Sequence, residues 1–280
     1  AIRSEVVAWD TETRSLTDKS LVCLSWAKSL TSFGVMWPRT VCPPFLFKAN
    51  QPKLVGHNMK YDLQVLSKNG LPRVSTRQLE DTAILAYLLR EPSMGLKDLV
   101  LKHFGVRLPD AGDLLQEVDD AHAVATAQQL DRLYDGTKQR EKALAKVIAD
   151  AHPAKAWRRR KSLPPLPEPT MDMVPKKVLE SYAQSDAGWT LALWYKLRPM
   201  LPPELERLYA IEMRLMPILS DMEMRGIYVD VEATKQLQEQ FACDLTILAV
   251  ILREAGIENP RSTMQKAKLL DAQLRALAPA

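Results

Sequence analysis

The feature that most constrains the fold of this chain is a change in the spacing of its apolar residues near Asn58. Before that point, four short runs rich in Val, Leu and Trp are separated by polar or glycine-containing turns: EVVAWD, SLVCLSWA, GVMWP and KLVGHN. Such runs predict β-strands, the first three as a meander. After that point apolar residues recur at three- and four-residue spacing, which predicts helices. The chain therefore has an α/β pattern.

Helices are predicted through most of the remaining chain. The segment NMKYDLQVLSKNG has Gly70 placed to end a helix, and LEDTAILAYLL and GLKDLVLKHFG are two further helices. A long charged helical stretch covers residues 114–151, and the proline-rich SLPPLPEPT after it cannot be helical. Helix resumes at VPKKVLESYAQSDAGWTLALWYKL, with Pro175 suited to a first turn. Beyond Pro203 the pattern is almost entirely helical, and Gly226 should end the first of those helices.

Length and composition set the class of protein. The 280 residues slightly favour two domains, and 46% hydrophobic with 26% charged residues is typical of a soluble globular protein. No apolar run approaches the ~18 residues needed to span a bilayer, so no membrane partner is expected. The chain starts without Met or a leader and reads like an excised fragment. Cys23, Cys42 and Cys243 are odd in number and widely spaced, which favours a reducing compartment over secretion.

Positive charge is concentrated in one window of the chain. Residues 138–161 contain nine Lys or Arg and two acidic residues, so this window carries +7 and the remainder of the chain, whose total is +4, carries −3. One interpretation is a nucleic-acid-binding surface, in which arginines contact phosphates and a tryptophan stacks on a base. The other is a solvated charge run on a loop. The residues in question are Trp157, Arg158, Arg159 and Arg160.

Five side chains form a pattern that no single one of them would establish. Asp10 and Glu12 stand two apart at the end of the first strand, so they share a face and repel unless water or a hard divalent cation separates them. Asp62 falls one turn into the helix that follows a strand. Tyr182 and Asp186 are four apart and share a helix face. Each alone is compatible with an ordinary structural position, whereas few folds would supply the ordered set.

The motifs DTET, GHNMKYD and YAQSD, in this order, resemble the DEDD exonucleases with a catalytic tyrosine, as found in family A DNA polymerases such as bacterial DNA polymerase I. The resemblance implies a ribonuclease H-like fold, with a mixed sheet flanked by helices. It also implies that Asp10, Glu12, Asp62 and Asp186 hold two Mg²⁺ or Mn²⁺ ions, with Asp10 shared between them. Tyr182 would orient the attacking water.

The resemblance further implies a substrate and a chemistry. Thr13, Leu16, Asn58 and Tyr61 would line the path of the terminal nucleotide. The reaction would be hydrolysis of the last phosphodiester of a single-stranded DNA 3′ end, by in-line attack at phosphorus. The partner would be DNA, as a free 3′ end or a primer-template, and the chain is expected to act as a monomer. The enclosing compartment would be a bacterial or phage-infected cytoplasm, or an organelle.

The last third of the chain extends the resemblance to a polymerase. IEMRLMPILSDMEMRGIYVD resembles the passage from exonuclease to polymerase domain, and NPRSTMQKAKLL resembles the start of the thumb. The predicted domains are therefore an exonuclease at residues 1–200, with a basic proline-rich insert near 114–170, and a helical polymerase fragment at 201–280. Palm and fingers motifs are absent from these 280 residues, so the chain should not polymerise DNA. The rivals are a free-standing RNase D-like exoribonuclease and an inactive DNA-binding domain.

Overall fold

The computed structural model describes residues 6–40, 52–72, 74, 78–133, 138–160 and 163–277. The chain divides into two compact units, Ala1–Arg225 and Gly226–Ala280. The strands are β1 Val6–Thr13, β2 Leu21–Ser29, β3 Ser32–Met36, β4 Lys53–Gly56 and β5 Leu79–Asp81. The helices of the first unit are α1 Lys60–Lys68, α2 Thr82–Leu88, α3 Leu96–Phe104, α4 Ala111–Leu133, α5 Lys138–Ile148, α6 Pro153–Arg158, α7 Lys176–Leu197 and α8 Pro203–Arg225.

The five strands form one mixed sheet in the order β3-β2-β1-β4-β5. β1, β2 and β3 form the predicted antiparallel meander, with Ala8 opposite Ala27 and Trp26 opposite Gly34. β4 runs parallel to β1, and β5 runs parallel to β4. The carboxyl ends of β1, β4 and β5 therefore meet at one edge of the sheet, the position where open α/β sheets place their ligands. This arrangement matches the predicted mixed sheet flanked by helices.

Helix α7 packs directly on the meander, and small residues on its inner face allow a short distance between the helix and the strands. Its inner face is made of small residues, among them Ala183 and Gly188, and Ser25 of β2 donates a hydrogen bond to the carbonyl of Ala183 at 2.8 Å. A Cβ atom added at Gly188 would lie 2.7 Å from the ring of Phe33, closer than packed atoms approach. The helix can therefore lie close to the sheet, and it carries Tyr182 and Asp186 with it.

The segment LEDTAILAYLL is helical only in part, because its first three residues form strand β5. All three are buried, and two of them are acids. The Glu80 carboxylate accepts hydrogen bonds from Lys53 at 2.8 Å and from the hydroxyl of Tyr209 at 2.9 Å. The Asp81 carboxylate caps α2 through the N–H of Ala83 at 2.8 Å. A buried strand that carries two partnered acids has no apolar pattern, which is why its sequence predicted a helix.

The predicted helical stretch at residues 114–151 is two helices, α4 and α5, with residues 134–137 outside the described part of the chain. α5 and α6 both pack on α4, and their contact surface is a second core beside the main one. The proline-rich residues 164–170 are not helical, as predicted. The basic window therefore contains two packed helices, α5 and α6, rather than a loop. We call α4, α5 and α6 together the basic subdomain. Its buried residues are Ala123, Ala127, Leu144, Val147, Ala154, Ala156, Trp157, Leu163 and Leu166.

The first compact unit ends later than the predicted boundary at residue 200. Helix α8 contacts α1, α2 and β5, and it contributes the buried side chains of Tyr209, Met213 and Met216 to the main core. Gly226, with a left-handed φ of 70°, follows the helix, as predicted. The boundary between units therefore lies at 225/226, because burial of the apolar face of α8 joins it to the sheet.

The second unit consists, in its described part, of α9 Val231–Glu254 and α10 Thr263–Leu277. The Asp230 side chain caps α9 by accepting a hydrogen bond from the N–H of Ala233 at 3.0 Å. Across the described residues of both units, every helix falls short of the length or the apolar character that crossing a bilayer requires.

Candidate active site

Three carboxylates meet where β1 faces α7. Asp10 and Glu12 share one face of β1, and Asp186 comes from α7, which packs against that strand. One oxygen from each of the three lies within 4.8 Å of the other two. Asp186 is buried, while Asp10 and Glu12 are half-buried. The structure thus brings together three of the four acids predicted from sequence as one potential ligand set.

The fourth acid, Asp62, lies beside this cluster and is held by the strand itself. β1 pairs with β4 only as far as Ala8, so the later part of β1 has an open side toward α1. There the backbone N–H of Thr11 donates to Asp62 Oδ1 at 3.0 Å, and the hydroxyl of Thr11 donates to the same oxygen. Asp62 is buried and its charge acts on Asp10 and Glu12. α1 is therefore anchored with its carboxylate at the edge of the cluster.

Tyr182 lies one helical turn before Asp186 and is buried. Its hydroxyl accepts a hydrogen bond from Lys97 Nζ at 3.2 Å. Burial, together with the negative charges of Asp186 and Glu12, raises the pKa of Tyr182 far above the ordinary value of about 10. The phenol consequently remains protonated at neutral pH and can act as a hydrogen-bond donor.

Burial raises the pKa of every acid in the cluster, and repulsion from the neighbouring acids adds to this for Asp10 and Glu12. Burial raises the pKa of Glu12 to about 8, with the charges of Asp186 and Asp62 adding to the effect. Burial likewise raises the pKa of Asp62 to about 7, against the opposing hydrogen bonds from Thr11, and that of Asp186 to about 6. The pKa of Asp10 is raised by burial and then by the same three neighbours. Burial thus favours the protonated form of these acids when no cation is bound.

The cluster fits a hard divalent cation. Carboxylate oxygens are the ligands that Mg²⁺ prefers. Asp186 Oδ1 is buried and has no hydrogen-bond partner, although a buried polar atom normally has one. A cation among Asp10, Glu12 and Asp186 would supply that partner and would neutralise the repulsion that adds to the raised pKa values of Asp10 and Glu12.

Comparison with known proteins identifies the family. A family model described as 3′–5′ exonuclease, of the DNA polymerase A type, matches residues 44–202, which is more than half of the chain. The chain belongs to this 3′–5′ exonuclease family. It is a metal-dependent 3′–5′ exonuclease. Asp62, Tyr182 and Asp186 lie inside the matched range, whereas Asp10 and Glu12 precede it and join the site through the geometry of β1.

Curated relatives of this exonuclease are DNA polymerases. The chain is 29% identical over 221 residues to DNA polymerase I of Chloroflexus aurantiacus, an alignment that covers 78% of this chain and 18% of that protein. It is 28% identical over 225 residues to DNA polymerase DpoZ of Salmonella phage PMBT28, covering 76% of this chain and 29% of that protein. The chain therefore spans less than a third of the length of these relatives.

Solved structures support the fold of the exonuclease. NrnC of Brucella melitensis aligns with a TM-score of 0.51 at 16% identity, covering 82% of this chain and 90% of that one. The form of the same protein with bound Mg²⁺ aligns with a TM-score of 0.50, covering 80% and 87%. At this level of identity the likeness concerns the fold alone, and it agrees with the ribonuclease H-like arrangement predicted from sequence.

One residue that positions the exonuclease site was not singled out from sequence. The Asp81 carboxylate accepts hydrogen bonds from the N–H of Asn58 at 3.2 Å and of Met59 at 2.7 Å, where β4 turns into α1. It also accepts from the N–H of Ala83 and, at 3.3 Å, of Ile84. Asp81 thereby holds the start of α1, which carries Asp62. The available signal was an acid immediately before a helical run, which is a helix-capping pattern.

The four predicted substrate-lining residues lie on two adjoining segments. The hydroxyls of Thr13 and Tyr61 are hydrogen-bonded at 2.6 Å, and the Tyr61 hydroxyl is also 3.3 Å from the carbonyl of Ser15. Leu16 is 84% exposed in the bend that follows β1. Asn58 is exposed and has a left-handed φ of 57° at the β4–α1 junction. Their contact with a nucleotide remains a prediction.

The basic window does not supply the aromatic platform predicted as one alternative. Trp157 is 1% exposed in the second core, and its indole N–H donates to the carbonyl of Pro164 at 2.7 Å. The prediction that this ring stacks on a base is therefore wrong. Arg158 is paired with the buried carboxylate of Asp119. Arg160 donates to the carbonyl of Ala156, and Arg159 is exposed. Phosphate contact remains a prediction chiefly for Arg159.

Proposed function

We propose that this exonuclease removes nucleotides from single-stranded 3′ ends of DNA, as the proofreading part of a family A DNA polymerase. The observation that carries the proposal is the convergence of Asp10, Glu12 and Asp186, with one buried oxygen of Asp186 lacking a partner. The polymerase context is supported by the names of the curated relatives. The second unit, by its resemblance to the start of a polymerase thumb, is proposed to lead into the polymerase domain.

The proposed cofactor is a pair of Mg²⁺ or Mn²⁺ ions. Asp10 is proposed to contribute to both sites, with Glu12 and Asp186 completing one of them and Asp62 contributing to the other. Such ions, when bound, lower the pKa of the attacking water and neutralise charge on the phosphate and on the leaving 3′ oxygen. The protein's own contribution is to hold four oxygen ligands in place. Thr11 does this for Asp62, and the packing of α7 on the sheet does it for Asp186.

The proposed role of Tyr182 is to orient the attacking water. A phenol whose pKa is raised far above neutrality does not accept the proton of the water, so it is unsuited to be the general base. It can instead place the water by hydrogen bonding, in line with the bond to be broken. Thr13, Leu16, Asn58 and Tyr61 are proposed to line the path of the terminal nucleotide, and the protein is proposed to act as a monomer.

The test is release of mononucleotides from a 3′-labelled single-stranded oligonucleotide with Mg²⁺, compared between the parent and the Asp10→Ala/Glu12→Ala double variant. The parent should release nucleotides and the double variant should not. A matched control, Glu232→Ala/Asp244→Ala, removes two exposed acids from α9 and should retain full activity. Equal release by the parent and the Asp10→Ala/Glu12→Ala variant would refute the assignment of the site.

The substrate is tested with DNA and RNA oligonucleotides of the same base sequence. Faster digestion of DNA supports the proofreading proposal. Faster digestion of RNA would favour the exoribonuclease rival, whereas binding of DNA by a parent protein without hydrolysis would favour the inactive DNA-binding rival. Addition of EDTA should stop the reaction, and Mg²⁺ or Mn²⁺ in excess should restore it.

A further inference from the structure

Lys97 of α3 brings an ammonium group against the tyrosine of the site. Its Nζ donates a hydrogen bond to the Tyr182 hydroxyl at 3.2 Å and lies 5.2 Å from the centre of the Tyr182 ring. Its second partner is Asp110, just before α4, with 3.5 Å between Nζ and Oδ1. The Lys97 side chain is 30% exposed, so it is partly enclosed between these two groups.

Helix stability does not explain a lysine at this position. Lys97 is the second residue of α3 and follows the N-cap Gly95, so its charge lies in the first turn, where the partial charge of the helix end is positive. Cations are favoured at the opposite end. The ion pair with Asp110 is a weak compensation, since the Asp110 side chain is 69% exposed and such pairs contribute little. The contact with Tyr182 is the one that serves the active site.

We propose that Lys97 is a positioning residue that sets the orientation of the Tyr182 hydroxyl. The phenol oxygen accepts the N–H of Lys97, so the phenol proton points away from the ammonium group and toward the carboxylate cluster. A hydroxyl that accepts a charged donor also becomes a stronger donor itself, because hydrogen bonds in a chain polarise one another. The inference rests on the proposed role of Tyr182 in orienting the attacking water, and it adds the group that orients the tyrosine.

The charge of Lys97 also reaches the acids beyond Tyr182. Burial raises the pKa of Asp186, and the positive charge of Lys97 and the hydrogen bond from Tyr182 both oppose that rise. Burial likewise raises the pKa of Glu12, with Lys97 again acting in the opposite direction. The charge of Lys97 therefore acts from the surface of α3 on two acids of the cluster.

The test is a double-mutant cycle on single-turnover release of the 3′ nucleotide, at saturating single-stranded oligonucleotide and Mg²⁺. Lys97→Met should lower the rate by about tenfold or more, as expected for loss of a charge-assisted hydrogen bond. The same change in a Tyr182→Phe background should lower the remaining rate by less than about threefold, because the hydroxyl is gone and only the direct action of the Lys97 charge on Asp186 and Glu12 remains. Lys97→Arg keeps both charge and donor and should stay within about fivefold of the parent.

Lys102→Met is the matched control, since Lys102 lies on the same helix, is half exposed and pairs with Glu91 away from the site. It should leave the rate unchanged, and Lys97→Met should keep the parent's unfolding temperature. A Lys97→Met effect of equal size in the two backgrounds, or a Lys97→Met rate within twofold of the parent, would overturn the inference. A parent without nuclease activity would instead refute the proposed function, so the two failures are distinguishable.

Discussion

The carboxylate cluster and the basic subdomain of α4, α5 and α6 are both rich in charge, but they differ in whether their buried charges have partners within the protein. In the cluster, Asp10, Glu12 and Asp186 are crowded together, and one oxygen of Asp186 is buried without a partner. In the basic subdomain, Asp119 is buried with its two oxygens paired to Arg158. Charge that is satisfied within the protein stabilises the fold, whereas charge that is buried and left unsatisfied indicates a ligand.

The largest difference between the two regions is expected when one aspartate in each is replaced by asparagine. Asp186→Asn should lower the rate of nucleotide release by about a thousandfold or more, because it removes a proposed cation ligand. Its unfolding temperature in EDTA at pH 8 should stay the same or rise, because it also removes a repelling charge. Rates from labelled oligonucleotides and thermal unfolding in EDTA give both quantities.

Asp119→Asn is the counterpart in the basic subdomain. It should leave nucleotide release unchanged and destabilise the protein by about 1 to 3 kcal/mol, since the charged hydrogen bonds from Arg158 lose their partner. Denaturant unfolding measures this free energy. A loss of activity in Asp119→Asn with the fold intact would contradict the contrast between the two regions.

The second prediction concerns the buried tryptophan of the basic subdomain. Trp157→Leu removes the ring from the second core and the hydrogen bond to Pro164, so it should destabilise the protein by about 2 to 4 kcal/mol. The affinity of the folded variant for a single-stranded oligonucleotide should equal that of the parent, as measured by fluorescence anisotropy at a temperature where both are folded. Weaker binding by a folded variant would contradict this expectation and support stacking of this ring on a base.

The third prediction follows from the raised pKa values of the cluster. Burial raises the pKa of Asp186, Asp62 and Glu12 to about 6, 7 and 8 in the native state, above the ordinary value near 4 of the unfolded chain. The native state in EDTA thus binds more protons than the unfolded state, and its stability falls as pH rises from about 4 to about 8. We expect the unfolding temperature in EDTA to fall by at least about 5 °C between pH 5 and pH 9.

Added Mn²⁺ should reverse most of this loss, with the largest gain at high pH, since a cation replaces the protons. Asp186→Asn should flatten the pH dependence in EDTA. An unfolding temperature that rises with pH in EDTA would contradict the protonated cluster.

The smallest effect is expected at the exposed arginine of the basic window. Arg159→Ala should weaken binding of a single-stranded oligonucleotide by less than about threefold and reduce the slope of log affinity against log salt by at most about one contact. The matched control is Lys235→Ala on α9, an exposed cation of the second unit that pairs with Glu232. A large loss of affinity in Arg159→Ala alone would show that the basic window is a principal DNA contact.

The amino-acid sequence by itself determined the class of the fold, and it predicted which acids would belong to the site. Strand periodicity over three runs predicted the meander, and the motif order predicted that Asp10, Glu12, Tyr182 and Asp186 belong to one site. The meander is found as predicted because local alternation encodes strands. The i,i+4 spacing places Tyr182 and Asp186 on one helix face, and the role of the four residues in one site stays a prediction. The end of α8 before Gly226 was likewise readable from a single residue.

Tertiary structure alone decided what each charged residue does. Strand β5 carries two buried acids, Glu80 and Asp81. Their hydrogen-bond partners are distant in sequence: the hydroxyl of Tyr209 for Glu80 and the backbone of the β4–α1 junction for Asp81. The same is true of Arg158, which pairs with a residue 39 positions away, and of Lys97, which reaches Tyr182 over 85. Sequence shows that a residue is charged, but its pKa and role depend on burial and on partners that only the fold brings within a few ångströms.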